Sequence, residues 1–321
     1  MLQKVIVILG QTATGKSDLA VRISKKFRGD PFNKNSGSPR VYPRGEIISA
    51  DSRQVYTGLD IGSGKITKKE MQGVPHYLLD VANPKRKFTV TQFKKLADKK
   101  IKEIIKQGKV PIICGGTGFY IDAVTKNIIF PKVPPNIKLR KDLENKTAEE
   151  LFKMLKKMDS YRADNIDPYN KVRLIRAIEI AKTLGKVPHL SIQPPSYEFI
   201  KIGLSLPVEI LKTKIKKRLE NRLKTGMLKE AQKLHEQGLS WRRMEELGLE
   251  YRYMALYFQE KITKQEMIEK LNSEIYKYAQ RQMTWFKRDK DILWIDPSNQ
   301  NEIEKAEKSI DNFLLNSKLA S

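Results

Sequence analysis

Cysteine occurs once in the 321 residues, at Cys114, and histidine three times. A single thiol cannot close an intramolecular disulfide, and so few ligands cannot assemble a Cys/His zinc constellation. Long apolar runs are missing too: the longest, residues 5–9 and 111–114, fall far short of the ~20 residues that span a bilayer. The first residues lack the apolar stretch and small-residue cleavage site of a secretory signal, so a cytoplasmic protein is expected. Acidic residues are scarce, 37 against 62 lysines and arginines, which leaves a net charge of +25. A surface of that sign attracts phosphate backbones, although a lysine-rich composition also arises without a nucleic-acid partner. Chemistry therefore rests on carboxylates, hydroxyls and cations. The 40% hydrophobic content buries a sizeable core, and the length suits one large domain with a smaller one.

Residues 5–9, Val-Ile-Val-Ile-Leu, form an unbroken aliphatic run, as a strand covered on both faces of a parallel sheet requires. Leu19, Ala20, Ile23 and Phe27 follow at helical spacing. Further strands are expected at 46–50, ending at Asp51, at 77–79, ending at Asp80, and at 110–114, ending in Gly115-Gly116-Thr117-Gly118. Between the last two, Phe93, Leu96, Ala97, Ile101, Ile104 and Ile105 share one helical face, closed by Gly108. Alternating strands and helices predict a parallel α/β sheet, whose ligands sit beyond the carboxyl ends of its strands. Gly10, Asp51, Asp80 and Thr117 all fall there.

Proline, glycine, serine and asparagine mark 28–44 as a surface loop. Pro131, Pro134 and Pro135 then break the pattern, helical periodicity dominates to 184, and a proline-rich stretch at 187–195 precedes a returning strand at 200–206. Helices are expected at 208–237, with an interruption at Gly226, at 242–257 and at 264–289. The expected division is 1–130 as the first part of an α/β core, 131–195 as a mainly helical insertion domain, 196–295 as a return to the core with C-terminal helices, and 296–321 as a tail.

Gly10, Gln11, Thr12, Ala13, Thr14, Gly15, Lys16 and Ser17 match G-x-x-x-x-G-K-[ST] between a strand and a helix, the context this phosphate-binding loop requires. The glycines let the backbone wrap a phosphate, amides at the helix start point at its oxygens, Lys16 neutralises charge, and the Ser17 hydroxyl suits Mg²⁺. A P-loop NTPase-like sheet flanked by helices is the expected fold. The motif specifies a di- or triphosphate and leaves open which one, so a P-loop nucleoside or nucleotide kinase is one reading.

A second set of residues narrows the choice. Asp51-Ser52-Arg53-Gln54-Val55-Tyr56, residues 58–62, Lys65, Val74-Pro75-His76 and residues 115–120, Gly-Gly-Thr-Gly-Phe-Tyr, closely resemble the tRNA dimethylallyltransferase family, in the right order and spacing. The run Arg173-Leu174-Ile175-Arg176 and the C-terminal Arg281-Gln282-Met283-Thr284-Trp285 are similar to that family's helical motifs. With no Cys/His pair after residue 240, the chain resembles the bacterial form. The resemblance implies transfer of a dimethylallyl group from its diphosphate to N6 of adenosine 37, beside the anticodon, with Mg²⁺ as cofactor; a monomer is the default expectation. It implies Asp51 as the base that accepts the amine proton, Thr117 as an active-site hydroxyl, the phosphate loop as holder of the leaving diphosphate, and an arginine of the following helical part, Arg218 or Arg222, beside it. The anticodon stem-loop would then meet Asp51, Ser52, Arg53, Gln54 and Thr117; Arg140; Val172, Arg173, Leu174, Ile175 and Arg176; Glu246, Leu247, Gly248, Leu249, Glu250 and Tyr251; and Gln280, Arg281 and Trp285.

Plainer structural roles compete at several of these positions. Asp51 could be a metal ligand or a cap, Thr117 part of a tight strand exit, Asp80 either a distant Mg²⁺ ligand or a loop cap, and Trp285 either a base-stacking or a core residue. Three positions depart from the family pattern: Val172 where many relatives carry Gln, Glu250 where many carry Gly, and Tyr77 where a second His is common.

Overall fold

The computed structural model describes residues 2–26, 44–189 and 191–315, so the expected loop at 28–44 lies outside the described residues except for Arg44. The chain divides into two compact units, residues 1–125 with 195–321, and residues 126–194.

The larger unit is built on a six-stranded sheet. Its strands are β1 (Gln3–Gly10), β2 (Gly45–Ser49), β3 (His76–Tyr77), β4 (Val110–Gly115), β7 (Tyr197–Leu204) and β8 (Ile292–Ile295), while β5 (Ile128–Ile129) and β6 (Ser191–Ile192) pair antiparallel in the smaller unit. The order across the sheet is β3-β2-β4-β1-β7-β8, with every pair parallel. The β1 run is buried throughout, and its alternation divides it between two cores. Val5, Val7 and Leu9 face Phe93, Ala97, Ile101 and Ile104 of α3 (Val90–Lys106) and Tyr120, Ile121 and Val124 of α4 (Gly118–Thr125). Ile6 and Ile8 face Leu19, Ala20 and Ile23 of α1 (Lys16–Lys26) together with Ala306 and Ile310 of α14 (Gln300–Leu315). The segment expected as a tail thus carries a helix that covers one face of the sheet. The expected strand at 77–79 is shifted to His76–Tyr77, because Leu78 and Asp80 take positive φ, 61° and 56°, which no strand can continue through.

A short α2 (Lys68–Met71) follows a Thr67/Glu70 capping box. The C-terminal helices of the larger unit are α9 (Val208–Lys224), α10 (Met227–Glu236), α11 (Trp241–Leu247), α12 (Leu249–Phe258) and α13 (Lys264–Phe286), which share a core with Val55, Tyr56 and Leu59. The break between α9 and α10 falls at Gly226, whose φ of 105° suits only glycine. The single helix expected over 242–257 is two, because Gly248 at φ 76° stops α11 and starts α12. Thr263 and Glu266 form a capping box that starts the 23-residue α13. Its buried residues, Met267, Leu271, Ile275, Ala279, Gln282 and Phe286, recur at helical spacing, and Gln282 is the one polar member of the stripe.

The smaller unit packs α5 (Ile137–Glu144), α6 (Ala148–Met158), α7 (Ser160–Asp164) and α8 (Lys171–Leu184) around Leu143, Leu151, Leu155, Ala163, Leu174, Ile175, Ala177 and Ile178. Glu179 of α8 is 1% exposed within it and accepts from the Arg140 guanidinium at 2.7 and 2.9 Å, from the Asn136 amide at 2.6 Å and from Arg176. Burial alone would raise its pKa, but these donors outweigh burial and hold the carboxyl at about 2.

Candidate active site

The phosphate loop leaves β1 and enters α1 at the carboxyl edge of the sheet. Ala13 and Gly15 take positive φ, 63° and 86°, which turns the loop back on itself. Thr14 Oγ1 donates to the Gln11 carbonyl at 2.8 Å, and Lys16 Nζ folds onto the same carbonyl. Helix α13 braces the loop from the far side: Gln11 Nε2 donates to the Ala279 carbonyl at 3.2 Å, and the Thr12 amide donates to Gln282 Oε1 at 2.8 Å.

Just beyond β2, Asp51 Oδ1 accepts from the Arg53 and Gln54 amides at 2.8 and 3.2 Å, and among the described residues Oδ2 has no partner. Beyond β4, Thr117 Oγ1 accepts from the Ser52 amide at 3.0 Å, and the Thr117 amide donates to the Ala50 carbonyl at 3.2 Å. The two strand ends are therefore tied side by side. Gly116 has no room for a side chain, since a Cβ there would lie 2.2 Å from Gln282 Nε2; on Gly118 it would lie 2.3 Å from the Trp285 ring. The Gly-Gly-Thr-Gly run is thus shaped by the approach of α13 as well as by the strand exit.

These segments enclose a cavity of about 380 Å³, lined by Thr12, Ala13, residues 15–18, Asp51, Gln54, Gly64, Glu70, His76, Lys214, Arg218, Tyr278 and Gln282. Burial lowers the Lys16 pKa to about 8, and the Arg218 charge adds to the effect. Burial likewise pulls Arg218 down to about 10, with Arg222 beside it contributing. Crowded, buried cations of this kind suit an anion-binding pocket. The Tyr278 hydroxyl is pushed up by burial and by the Asp51 charge, while an interaction with the Thr117 hydroxyl works against both. Cys114 at the cavity floor is pushed up to about 12 by burial, so it is a protonated thiol and no nucleophile.

A family model described as IPP transferase matches residues 54–289. The tRNA dimethylallyltransferase of Anoxybacillus flavithermus is 35% identical over 319 residues, covering 98% of this chain and 97% of that one. A tRNA dimethylallyltransferase of Treponema denticola is 40% identical over 288 residues, covering 88% and 91%. The crystal structure of the full-length tRNA isopentenylpyrophosphate transferase of Bacillus halodurans superposes with a TM-score of 0.72 at 32% identity over 99% of both chains. This chain belongs to the tRNA dimethylallyltransferase family. A eukaryotic dimethylallyltransferase structure at 24% identity shares the fold, with a TM-score of 0.78 over 98% of this chain.

Against that family's expected site, Arg218 and Arg222 separate. Arg218 lines the cavity and donates to Thr12 Oγ1 at 3.3 Å and to the Gly64 carbonyl at 3.2 Å. Arg222 is spent on the Gly62 carbonyl at 3.2 Å and on Glu250 at 2.9 Å. The departure from glycine at Glu250 is thereby accounted for: the residue is 9% exposed and neutralises Arg222. Tyr77, the departure that lies on the sheet, donates to Glu46 at 2.9 Å. Asp80 lines a different cavity, pairs with Lys65, and its carbonyl accepts from Thr57 Oγ1 at 3.2 Å, which is the work of a loop cap.

Of the residues expected to meet RNA, Leu247 and Tyr251 are buried in the helical core of the larger unit, and Leu174 and Ile175 in the core of the smaller one, so their side chains are not available to a ligand. In the smaller unit Val172, at 79%, and Arg173 are exposed, whereas Arg140 and Arg176 are committed to Glu179. In the larger unit Gln280 and Arg281 are exposed, and Glu246 pairs with Arg243 and Lys87 at 3.2 and 3.3 Å. Gly248 and Leu249 form the positive-φ break between α11 and α12. Trp285 donates to Asp122 at 3.2 Å, edges onto Phe119 and lies under Arg288. Tyr278 and Gln282 were not among the expected site residues, although their i, i+4 spacing on α13, continued to Trp285, puts all three on one helical face.

Proposed function

We propose that the enzyme transfers the dimethylallyl group of dimethylallyl diphosphate to N6 of the adenosine that follows the anticodon of a tRNA. The exocyclic amine is a weak nucleophile, because its lone pair is delocalised into the purine. Its N–C bond forms as the allylic C–O bond breaks, the amine proton passes to Asp51, and the diphosphate leaves with the bonding pair. The observation that carries this reading is the cavity itself: Asp51 is held by one oxygen with the other unpartnered, beside Lys16 and Arg218. The fixed cations and loop amides oppose the charge that develops on the leaving group. In this reading Thr117, whose hydroxyl accepts from the Ser52 amide, is assigned to the acceptor side.

The residues present suit Mg²⁺. Ser17 offers a hydroxyl on the cavity wall near Asp18, Asp51 and Glu70, and no three His, Cys, Asp or Glu side chains among the described residues converge into a cage. A cation that keeps its waters and takes phosphate oxygens fits that donor set, and when bound it would further neutralise the diphosphate. The exposed Arg173, Gln280 and Arg281 are candidates for contact with the anticodon stem-loop. We place the enzyme in the cytoplasm as a monomer; separately, no helix among the described residues is long and apolar enough to cross a membrane.

The test compares the parent with Asp51→Ala. Transfer is expected to be lost while affinity for unmodified tRNA stays within several-fold, and near-normal transfer by the variant would remove Asp51 from the base role.

A further inference from the structure

Gln280, Arg281 and Trp285 are expected at the RNA, yet Gln282 between them points inward. It is 6% exposed, in a helical stripe whose other members are all apolar. A buried primary amide in such a place needs partners for both its ends, because an unmet buried donor or acceptor is costly. Both ends are met, and by the two halves of the site. Oε1 accepts from the Thr12 amide of the phosphate loop at 2.8 Å, and Nε2 donates to the Gly116 carbonyl, one residue before Thr117, at 2.9 Å. The fit is close enough that a Cβ on Gly116 would meet Nε2 at 2.2 Å. Neighbours on the same helix reinforce the register: the Ala279 carbonyl receives Gln11 Nε2, and Trp285 packs on Gly118.

We propose that Gln282 is a positioning residue, which holds the phosphate loop and the Thr117 turn at one separation so that the leaving group and the acceptor amine meet in line. The inference rests on the functional reading above, in which those two segments serve diphosphate and acceptor. A single planar amide is suited to this. Its donor and acceptor are rigidly opposed, and neither partner can drift without breaking a bond. The α13 backbone, anchored by Met267, Leu271 and Ile275 in the helical core, supplies the fixed reference. Thr12 spends its amide on this contact, which leaves the remaining loop amides to the phosphate.

The experiment measures three quantities in the parent and in Gln282→Met, which keeps volume but offers neither bond: the single-turnover transfer rate with a stem-loop RNA and saturating dimethylallyl diphosphate, the affinity for pyrophosphate with Mg²⁺, and the affinity for the RNA. Each half of the site stays intact by itself, so both affinities are expected within about threefold, while the rate falls about 10–100-fold, as displacements near 1 Å produce. Because Gln282 acts through the Thr117 turn, the Gln282→Met/Thr117→Ala double variant should lose little beyond the worse single variant. An unchanged rate, a loss of RNA affinity with the saturated rate intact, or fully multiplicative losses in the double variant would each overturn the assignment. If Gln282→Met does not fold, Gln282→Glu decides, since it keeps the acceptor for Thr12 but sets a carboxylate oxygen against the Gly116 carbonyl; a rate within threefold of the parent would then refute the clamp. Absence of transfer by the parent itself would count against the functional reading, not against the clamp.

Discussion

Replacing Lys16 by methionine should make the protein without ligand more stable, not less. In the folded chain burial lowers the Lys16 pKa from 10.5 to about 8. A folded-state pKa below the unfolded one means that the native state binds this proton more weakly. The cost to stability is therefore full below pH 8 and fades as pH rises towards 10.5. At about 1.4 kcal/mol per pH unit it amounts to at most about 3 kcal/mol at pH 7, less where water reaches the half-buried stem. Against it stands the charge-assisted hydrogen bond from Lys16 to the Gln11 carbonyl, worth about 2 kcal/mol. Desolvation wins by roughly 1 kcal/mol, so Lys16→Met should melt a degree or two higher than the parent at pH 7. Pyrophosphate with Mg²⁺ should reverse the order, because only the parent gains a charge-assisted bond to it. Calorimetric or dichroism melts with and without pyrophosphate check both halves. A variant that melts at or below the parent without ligand, or equal stabilisation of the two by pyrophosphate, would refute the reasoning.

Asp51→Asn, which keeps an oxygen for the Arg53 and Gln54 amides, should fold normally and lose about 10²–10⁴-fold in single-turnover rate; a smaller loss would show that the amine proton goes elsewhere. Arg218→Ala should weaken pyrophosphate binding by at least about tenfold, seen by calorimetry. Arg222→Ala should instead lower the melting temperature by stranding Glu250, at a cost of about 3 kcal/mol. In the smaller unit the Glu179 pKa is depressed, so its contribution, roughly 3 kcal/mol, is present above about pH 4.5 and is lost as pH falls towards 2. Protection factors of α8 amides, which remove the intrinsic pH dependence of exchange, should fall over that range in the parent, and far less so in Glu179→Gln.

The parallel sheet and its phosphate loop were legible because local signals decide them. An uninterrupted aliphatic run makes β1, and the loop motif needs only its own backbone. The shift of β3 and the split at Gly248 were not legible, since both depend on single residues at positive φ that apolar periodicity does not register. Helix α14 looked like a tail because its buried face is narrow, Ala306 and Ile310, and its partners lie almost three hundred residues earlier in β1. At the site, Arg218 and Arg222 share a helical face at i, i+4, and only the tertiary position of Glu250 tells them apart. Motifs carried over as blocks also mixed surface with core: within 172–176 the first two residues are exposed and the next two buried. Gln282 does carry a sequence signal, a polar residue where the stripe of α13 demands an apolar one.

The most direct measurement incubates the protein with Mg²⁺, dimethylallyl diphosphate and an unmodified anticodon stem-loop that carries adenosine 3′ of the anticodon, then weighs the RNA and its nuclease fragments. The account predicts a gain of one five-carbon unit confined to that adenosine, and none when guanosine replaces it. Unmodified RNA across several stem-loops, with ATP consumed on a small acceptor instead, would contradict it.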